Sequence, residues 1–193
     1  MDRDYDPLPI RELGAGAGLR RPAQPPAGKV TIESGALEVM TDLRRTTPAT
    51  IRPQAPLAGA NQFMITRGVR LLLVVDEQEM VLGVITATDV LGERAMRIAT
   101  ERGMRRDELI VADIMVSAER VEVIALADVA GARVGHVLET LRRAGRQHTL
   151  VVDAENKVCG IFSLSQIARQ LGVSYAIGGE VARTFSEIEA AIR

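Results

Sequence analysis

Leu73-Val74-Val75-Asp76 recurs 77 residues later as Leu150-Val151-Val152-Asp153. At the same shift Val81 meets Val158, Gly83 meets Gly160, Val84 meets Ile161 and Thr86 meets Ser163. Further along, Thr88 meets Ser165 and Val90 meets Ile167, and upstream Gly68 meets Gly145. Six identities in 18 positions, with isosteric pairs among the rest, mark an internal repeat rather than two arbitrary apolar strands.

Working outward, each copy shows the same order of elements. An amphipathic helix is predicted over Leu57 to Arg67 in the first copy and over Val134 to Ala144 in the second. There Val134, Val137, Leu138 and Leu141 share one face, and Glu139, Arg142 and Arg143 the other. Gly68 and Gly145 stand where left-handed caps would end these helices. Strands follow at Arg70 to Val75 and Val81 to Thr86, and at His148 to Val152 and Lys157 to Phe162, with polar turns between them. A second helix then starts at Thr86 or Ser163, and a short strand opens each copy near Thr50-Ile51 and near Val121 to Ile124. Ala125 to Ala132 lengthens the second copy by roughly one helical turn.

Between the copies, Gly92 to Arg106 reads as a charged helix ending near Gly103, and Asp107 as the cap of a short helix carrying Leu109, Ile110 and Ile114. Residues 1–35, rich in Gly and Pro, read as a flexible tail. Residues 36–106 hold the first motif and its connecting helix, and 107–172 the second, closing at Gly172. Residues 173–193 read as a C-terminal extension, a helix being predicted after Gly178-Gly179 with Val181, Phe185, Ile188 and Ile192 on one stripe. The apolar strands Leu71 to Val75 and Thr149 to Val152 are too continuous for a sheet with one wet face. Each half is also too small to be comfortably stable alone, so the sheets are expected to bury one another.

Composition removes several classes of function. Hydrophobic residues are 47% and charged residues 25%, the balance of a chain that buries a core. No apolar run reaches the roughly 18 to 20 residues of a membrane helix, and the acidic N-terminus lacks a signal-peptide pattern. A net charge of -1 and 3% aromatic residues, without tryptophan, argue against nucleic-acid binding by charge or base stacking. One cysteine and two histidines leave no disulfide framework and little for a zinc site, so a reducing cytoplasm is the expected compartment. Gly14 to Gly18 is no phosphate loop, since no strand precedes it and no Gly-Lys-Ser/Thr follows. Cys159 reads as a buried inert thiol. No nucleophile, base and orienter set is visible, so an enzyme is not expected.

The doubled strand-helix-strand-strand-helix order resembles a tandem pair of CBS (cystathionine β-synthase) domains. The marks are Leu73 to Asp76 with Gly83-Val84-Ile85-Thr86-Ala87-Thr88-Asp89-Val90, then Gly160-Ile161-Phe162-Ser163-Leu164-Ser165-Gln166-Ile167. Met40-Thr41 and Met115-Val116 resemble the methionine that opens such motifs. The resemblance implies an α/β fold, two pseudo-twofold motifs packed as one module, here with an N-terminal tail and a C-terminal helix. It also implies two symmetry-related clefts that take adenosine compounds such as AMP, ADP, ATP or S-adenosylmethionine, with no other cofactor. A disc-like homodimer joined through helices flanking the clefts, and a protein target of unknown identity, complete the implied picture.

By the same resemblance Asp89, in Thr86-x-x-Asp89, receives the ribose hydroxyls. Thr88, Arg70, Thr50, Ile51 and Leu72 are expected beside it, and His148, Ser163, Ser165 and Gln166 in a second, weaker cleft. A purely structural reading competes. A hydroxyl followed three residues later by an acid or amide is a capping box. Ser163 and Gln166 fit that box best, and Asp89 stands between capping and ribose binding. Arg70 is either a phosphate ligand or a solvated strand end, and His148 a ligand group or a half-buried side chain.

Overall fold

The computed structural model describes residues 30–173 and Ser186. The expected Gly178-Gly179 joint and apolar stripe from Val181 to Ile192 lie outside these residues. The first copy runs β2 (Thr50–Ile51), α1 (Leu57–Arg67), β3 (Leu71–Val75), β4 (Val81–Thr86) and α2 (Ala87–Leu91), preceded by β1 (Thr41–Asp42). Then come α3 (Glu93–Glu101), α4 (Val111–Ile114) and β5 (Val116–Ser117). The second copy runs β6 (Val123–Ala125), α5 (Leu126–Ala130), α6 (Val134–Ala144), β7 (His148–Val152), β8 (Val158–Ser163) and α7 (Leu164–Gln170).

The predicted helices α1 and α6 occupy the expected residues. Each ends at a left-handed glycine, Gly68 at φ 64° and Gly145 at φ 61°. The inner strands split their burial by alternation. Leu72 and Val74 face α1 in a core with Leu57, Ala60 and Met64, whereas Leu71, Leu73 and Val75 turn the other way. There they meet Val84 and Leu150 in a third cluster that lies between the two sheets. Both faces of β3 are therefore dry, as its unbroken apolar run requires.

Strand order brings out what the repeat alone concealed. One sheet is β2-β3-β4-β5 and the other β1-β8-β7-β6. The strand ahead of the first copy thus pairs antiparallel with the last strand of the second, Thr41 opposite Ile161 and Asp42 opposite Gly160. Likewise β5, ahead of the second copy, pairs with β4, Gly83 opposite Ser117 and Val84 opposite Val116. The cores are exchanged with the strands: Ala36, Val39 and Met40 fill the second copy's core, and Leu109, Val111 and Ile114 fill the first's. Met40 and Met115, the residues that open the motifs in sequence, are thus the start of each exchanged strand's crossing to the other copy.

The repeated glycines are explained by the exchange. A Cβ on Gly160 would lie 2.4 Å from the Met40 sulfur, and one on Gly83 would lie 2.2 Å from the Val116 carbonyl oxygen. At Gly83 the neighbour is backbone, so only glycine lets the crossing segment approach so closely, whereas at Gly160 it is the flexible Met40 side chain.

Two local expectations are corrected. Residues 30–35, expected to end a tail, belong to the folded body. Val134 N–H donates to Ser34 O and Gly135 N–H to Ile32 O, each at 2.9 Å. These are the first amides of α6, which have no partner within the helix and take them from the incoming chain. Asp107 does not cap α4; it lies in a 3₁₀ turn, Arg106–Glu108, paired with Arg105. The cap comes from Asp113, whose Oδ2 accepts the Ile110 N–H at 2.9 Å.

Candidate ligand clefts

Where β4 runs into α2, Thr86 is the N-cap, with extended backbone at φ -113° and ψ 163°. Its hydroxyl accepts the Asp89 N–H at 3.3 Å, while Asp89 Oδ2 accepts both the Thr86 N–H at 2.9 Å and the Thr86 O–H at 2.6 Å. Asp89 Oδ1 faces Arg94 Nη1 at 3.4 Å. The first copy therefore forms the reciprocal capping box in full.

The second copy does not, contrary to the capping expected of Ser163 and Gln166. Ser163 caps nothing with its side chain; its hydroxyl lies 3.0 Å from that of Ser165. Gln166 Oε1 instead accepts the Thr41 O–H at 2.9 Å. The reason is the exchanged strand β1, which brings Thr41 within reach of a side chain one methylene longer than Asp.

Each motif opens onto a cavity, of about 300 Å³ beside Asp89 and about 380 Å³ beside Gln166. The walls show where the expected residues go. Thr86, Thr88 and Asp89 line the first cavity together, but their companions come from the second copy: Arg146 and Gln147, between α6 and β7, and His148, which opens β7. Ser163, Ser165 and Gln166 line the other cavity, facing Arg67, Gly68, Val69 and Arg70 from the corresponding stretch of the first copy. Arg70 is thus parted from Asp89 and placed with Gln166. The pseudo-twofold packing causes this, since each cleft closes between the helix-starting motif of one copy and the post-helix loop of the other.

Thr50, Ile51 and Leu72 line neither cavity. Leu72 is fully buried and, with Ile51 packed against the same core, faces the helices. Residues that sequence reasoning passed over are Arg67, Arg169, Thr46 and Thr47 in the Gln166 cleft, and Glu122 and Arg146 in the Asp89 cleft. Their common signal is position just past an equivalent helix or at the exchanged strand, legible only once the copies are known to face one another.

The two clefts differ in charge. In the Asp89 cleft the acids are paired, Asp89 with Arg94 and Glu122 with Arg146 at 3.2 Å. The Gln166 cleft is lined by Arg67, Arg70 and Arg169, and by no carboxylate among the described residues. Arg67 also lies over the Phe63 ring, 5.4 Å from its centroid.

His148, at the start of β7, lines both cavities, as does its repeat equivalent Leu71. Burial, and then the nearby Arg70 charge, hold its imidazole down at about 4, so it is neutral at neutral pH. The other histidine, His136, accepts the Arg133 N–H on Nδ1 at 3.0 Å and so caps α6. Burial pushes the Cys159 thiol up, away from the reactive thiolate. Among the described residues no three His, Cys, Asp or Glu side chains gather as metal ligands, and no helix is long and apolar enough to cross a membrane.

The sequence pattern of the CBS domain matches residues 38–95 and 129–172. No curated protein matches the chain at a significant level. Among solved structures, an uncharacterized conserved protein from Pyrococcus horikoshii is similar at 20% identity and a TM-score of 0.56, over 77% of this chain and 100% of that one. The CBS domain pair of protein MJ0100, in complex with 5′-methylthioadenosine and S-adenosyl-L-methionine, is similar at 20% identity and a TM-score of 0.51, over 73% of this chain and 97% of its own. CBSX2 of Arabidopsis thaliana, in complex with AMP, is similar at 19% identity and a TM-score of 0.50, over 72% and 94%. At these identities the likeness is one of fold. The doubled motif, the two facing sheets and the family match over both copies make this chain a member of the CBS domain family.

Proposed function

We propose that this chain is a regulatory module that senses an adenosine compound, AMP, ADP, ATP or S-adenosylmethionine, and acts through self-association or a protein target rather than by catalysis. The observation that carries the reading is that each cavity is walled by both copies. A ligand there touches both halves at once and stabilises one arrangement of them over others, which is what a sensor requires. The neighbours of similar fold crystallised with AMP, or with 5′-methylthioadenosine and S-adenosyl-L-methionine, support the choice of ligand class. Ser163 and Ser165 hydrogen-bond each other rather than a histidine or a carboxylate, which supports a non-catalytic role.

A thermal scan against AMP, ADP, ATP and S-adenosylmethionine tests the reading. A ligand at 100 times its Kd raises stability by about 2.7 kcal/mol, a shift of several degrees for a chain of this size. Silence across the panel favours the second reading, a scaffold for dimerisation and docking. One observation leans that way: the Asp89 carboxylate is already engaged by Thr86 and Arg94.

The homodimer belongs to this proposal. Ile65, Leu91 and Met96, exposed on the helices of the first copy, are the apolar surface that such an association would cover. Light scattering is expected to return about twice 20.8 kDa at micromolar concentration; the monomer mass alone would remove the dimer.

A further inference from the structure

The two clefts share one architecture but not one chemistry. Around Asp89, each acid has an arginine beside it, Arg94 for Asp89 and Arg146 for Glu122, so a ligand entering meets no uncompensated charge from these groups. Around Gln166, the guanidinium groups of Arg67 and Arg169 line the wall without a carboxylate among the described residues, and the hydroxyls of Thr46, Thr47, Ser163 and Ser165 add neutral hydrogen-bonding groups. Guanidinium groups recognise phosphate oxygens by paired, charge-assisted donors. His148, half-buried at the start of β7, adds an imidazole to the same wall.

Resting on the adenosine-sensing reading, we propose that the clefts take different ligands: a phosphate-bearing one in the arginine-lined Gln166 cleft, and a phosphate-free one in the Asp89 cleft. Arg169 is the discriminating residue. It projects from the last turn of α7 into the Gln166 cleft, and among the described residues no ion pair engages it. The neutral amide of Gln166, tied to Thr41, leaves an entering phosphate unopposed by negative charge. In the other cleft the lining arginine, Arg146, is already paired with Glu122 and so is less available to a phosphate.

The test is calorimetry on the full chain with AMP, adenosine and inorganic phosphate as probes, in the wild type and in Arg169→Gln, Arg67→Gln and Asp89→Asn. AMP is expected to fill one high-affinity site per chain, weakened roughly tenfold or more by Arg169→Gln and little changed by Asp89→Asn. Adenosine is expected to bind AMP-saturated protein still, with its affinity lowered by Asp89→Asn. Phosphate alone should compete with AMP and not with adenosine. Arg67→Gln, on a different helix, repeats the AMP result should Arg169→Gln fold poorly. Displacement of adenosine by AMP mole for mole, or AMP binding lost in Asp89→Asn and intact in both arginine variants, overturns the division while leaving adenosine sensing in place. Absence of binding by both AMP and adenosine overturns the two together.

Discussion

Asp89 and Gln166 occupy the same place in the repeat, and their neighbours give them different work. Asp89 holds two donors of Thr86 and stands against Arg94, so replacing it removes a helix cap. Asp89→Ala is expected to cost about 1 to 2 kcal/mol in chemical denaturation. Gln166→Ala, which loses one neutral hydrogen bond to Thr41, should cost roughly 1 kcal/mol or less; equal losses would contradict the capping assignment. His148 gives a pH signature at the same scale. Its folded value, about 4, lies below the ordinary 6.5, so between these values the unfolded chain binds more protons. Stability is therefore expected to hold above pH 6.5 and to fall as pH drops from 6.5 toward 4, by on the order of 2 kcal/mol. Urea titrations at several pH values should show a shallower fall in His148→Gln; an unchanged slope would assign the pH dependence elsewhere.

The elements were the most legible level, because their determinants are local. The 3.6-residue spacing of Val134, Val137, Leu138 and Leu141 and the glycine that follows define α6, and its equivalent α1 ends in the same way. The exchanged strands β1 and β5 are two residues each, too short for any periodic signal, and so escaped the reading. Their trace in the sequence was indirect: Gly83 and Gly160, the positions where the crossing chain comes closest. A graded outcome follows from the identity of the atoms met. Gly83→Ala strikes backbone, at the Val116 carbonyl, whereas Gly160→Ala strikes the flexible Met40 side chain. Gly83→Ala is expected to destabilise by about 1 to 3 kcal/mol and Gly160→Ala by less. Met40→Ala should partly relieve the second and leave the first untouched, a difference that a set of melting curves on the double variants resolves.

At the scale of the molecule, the exchange ties the two copies into one cooperative body. Val39 precedes the first copy in the chain but is fully buried in the core of the second. Val39→Ala is expected to cost about 2 kcal/mol and, in native-state hydrogen exchange, to loosen β7 and β8 more than β3 and β4. Greater loosening of β3 and β4 would deny the exchange. The sequence by itself determined the repeat, the strand and helix positions within each copy, and the dry faces of the inner strands, since spacing and alternation within a copy are local properties. It carried no record of which residues meet across the pseudo-twofold axis, because that depends on two distant segments packing sheet to sheet. Only the tertiary structure placed Arg70 with Gln166 instead of Asp89, turned Leu72 into the core, and set His148 between both clefts. Burial of the apolar faces of β3, β4, β7 and β8 against each other fixes the orientation of the copies, and the composition of each cleft is a consequence of that packing.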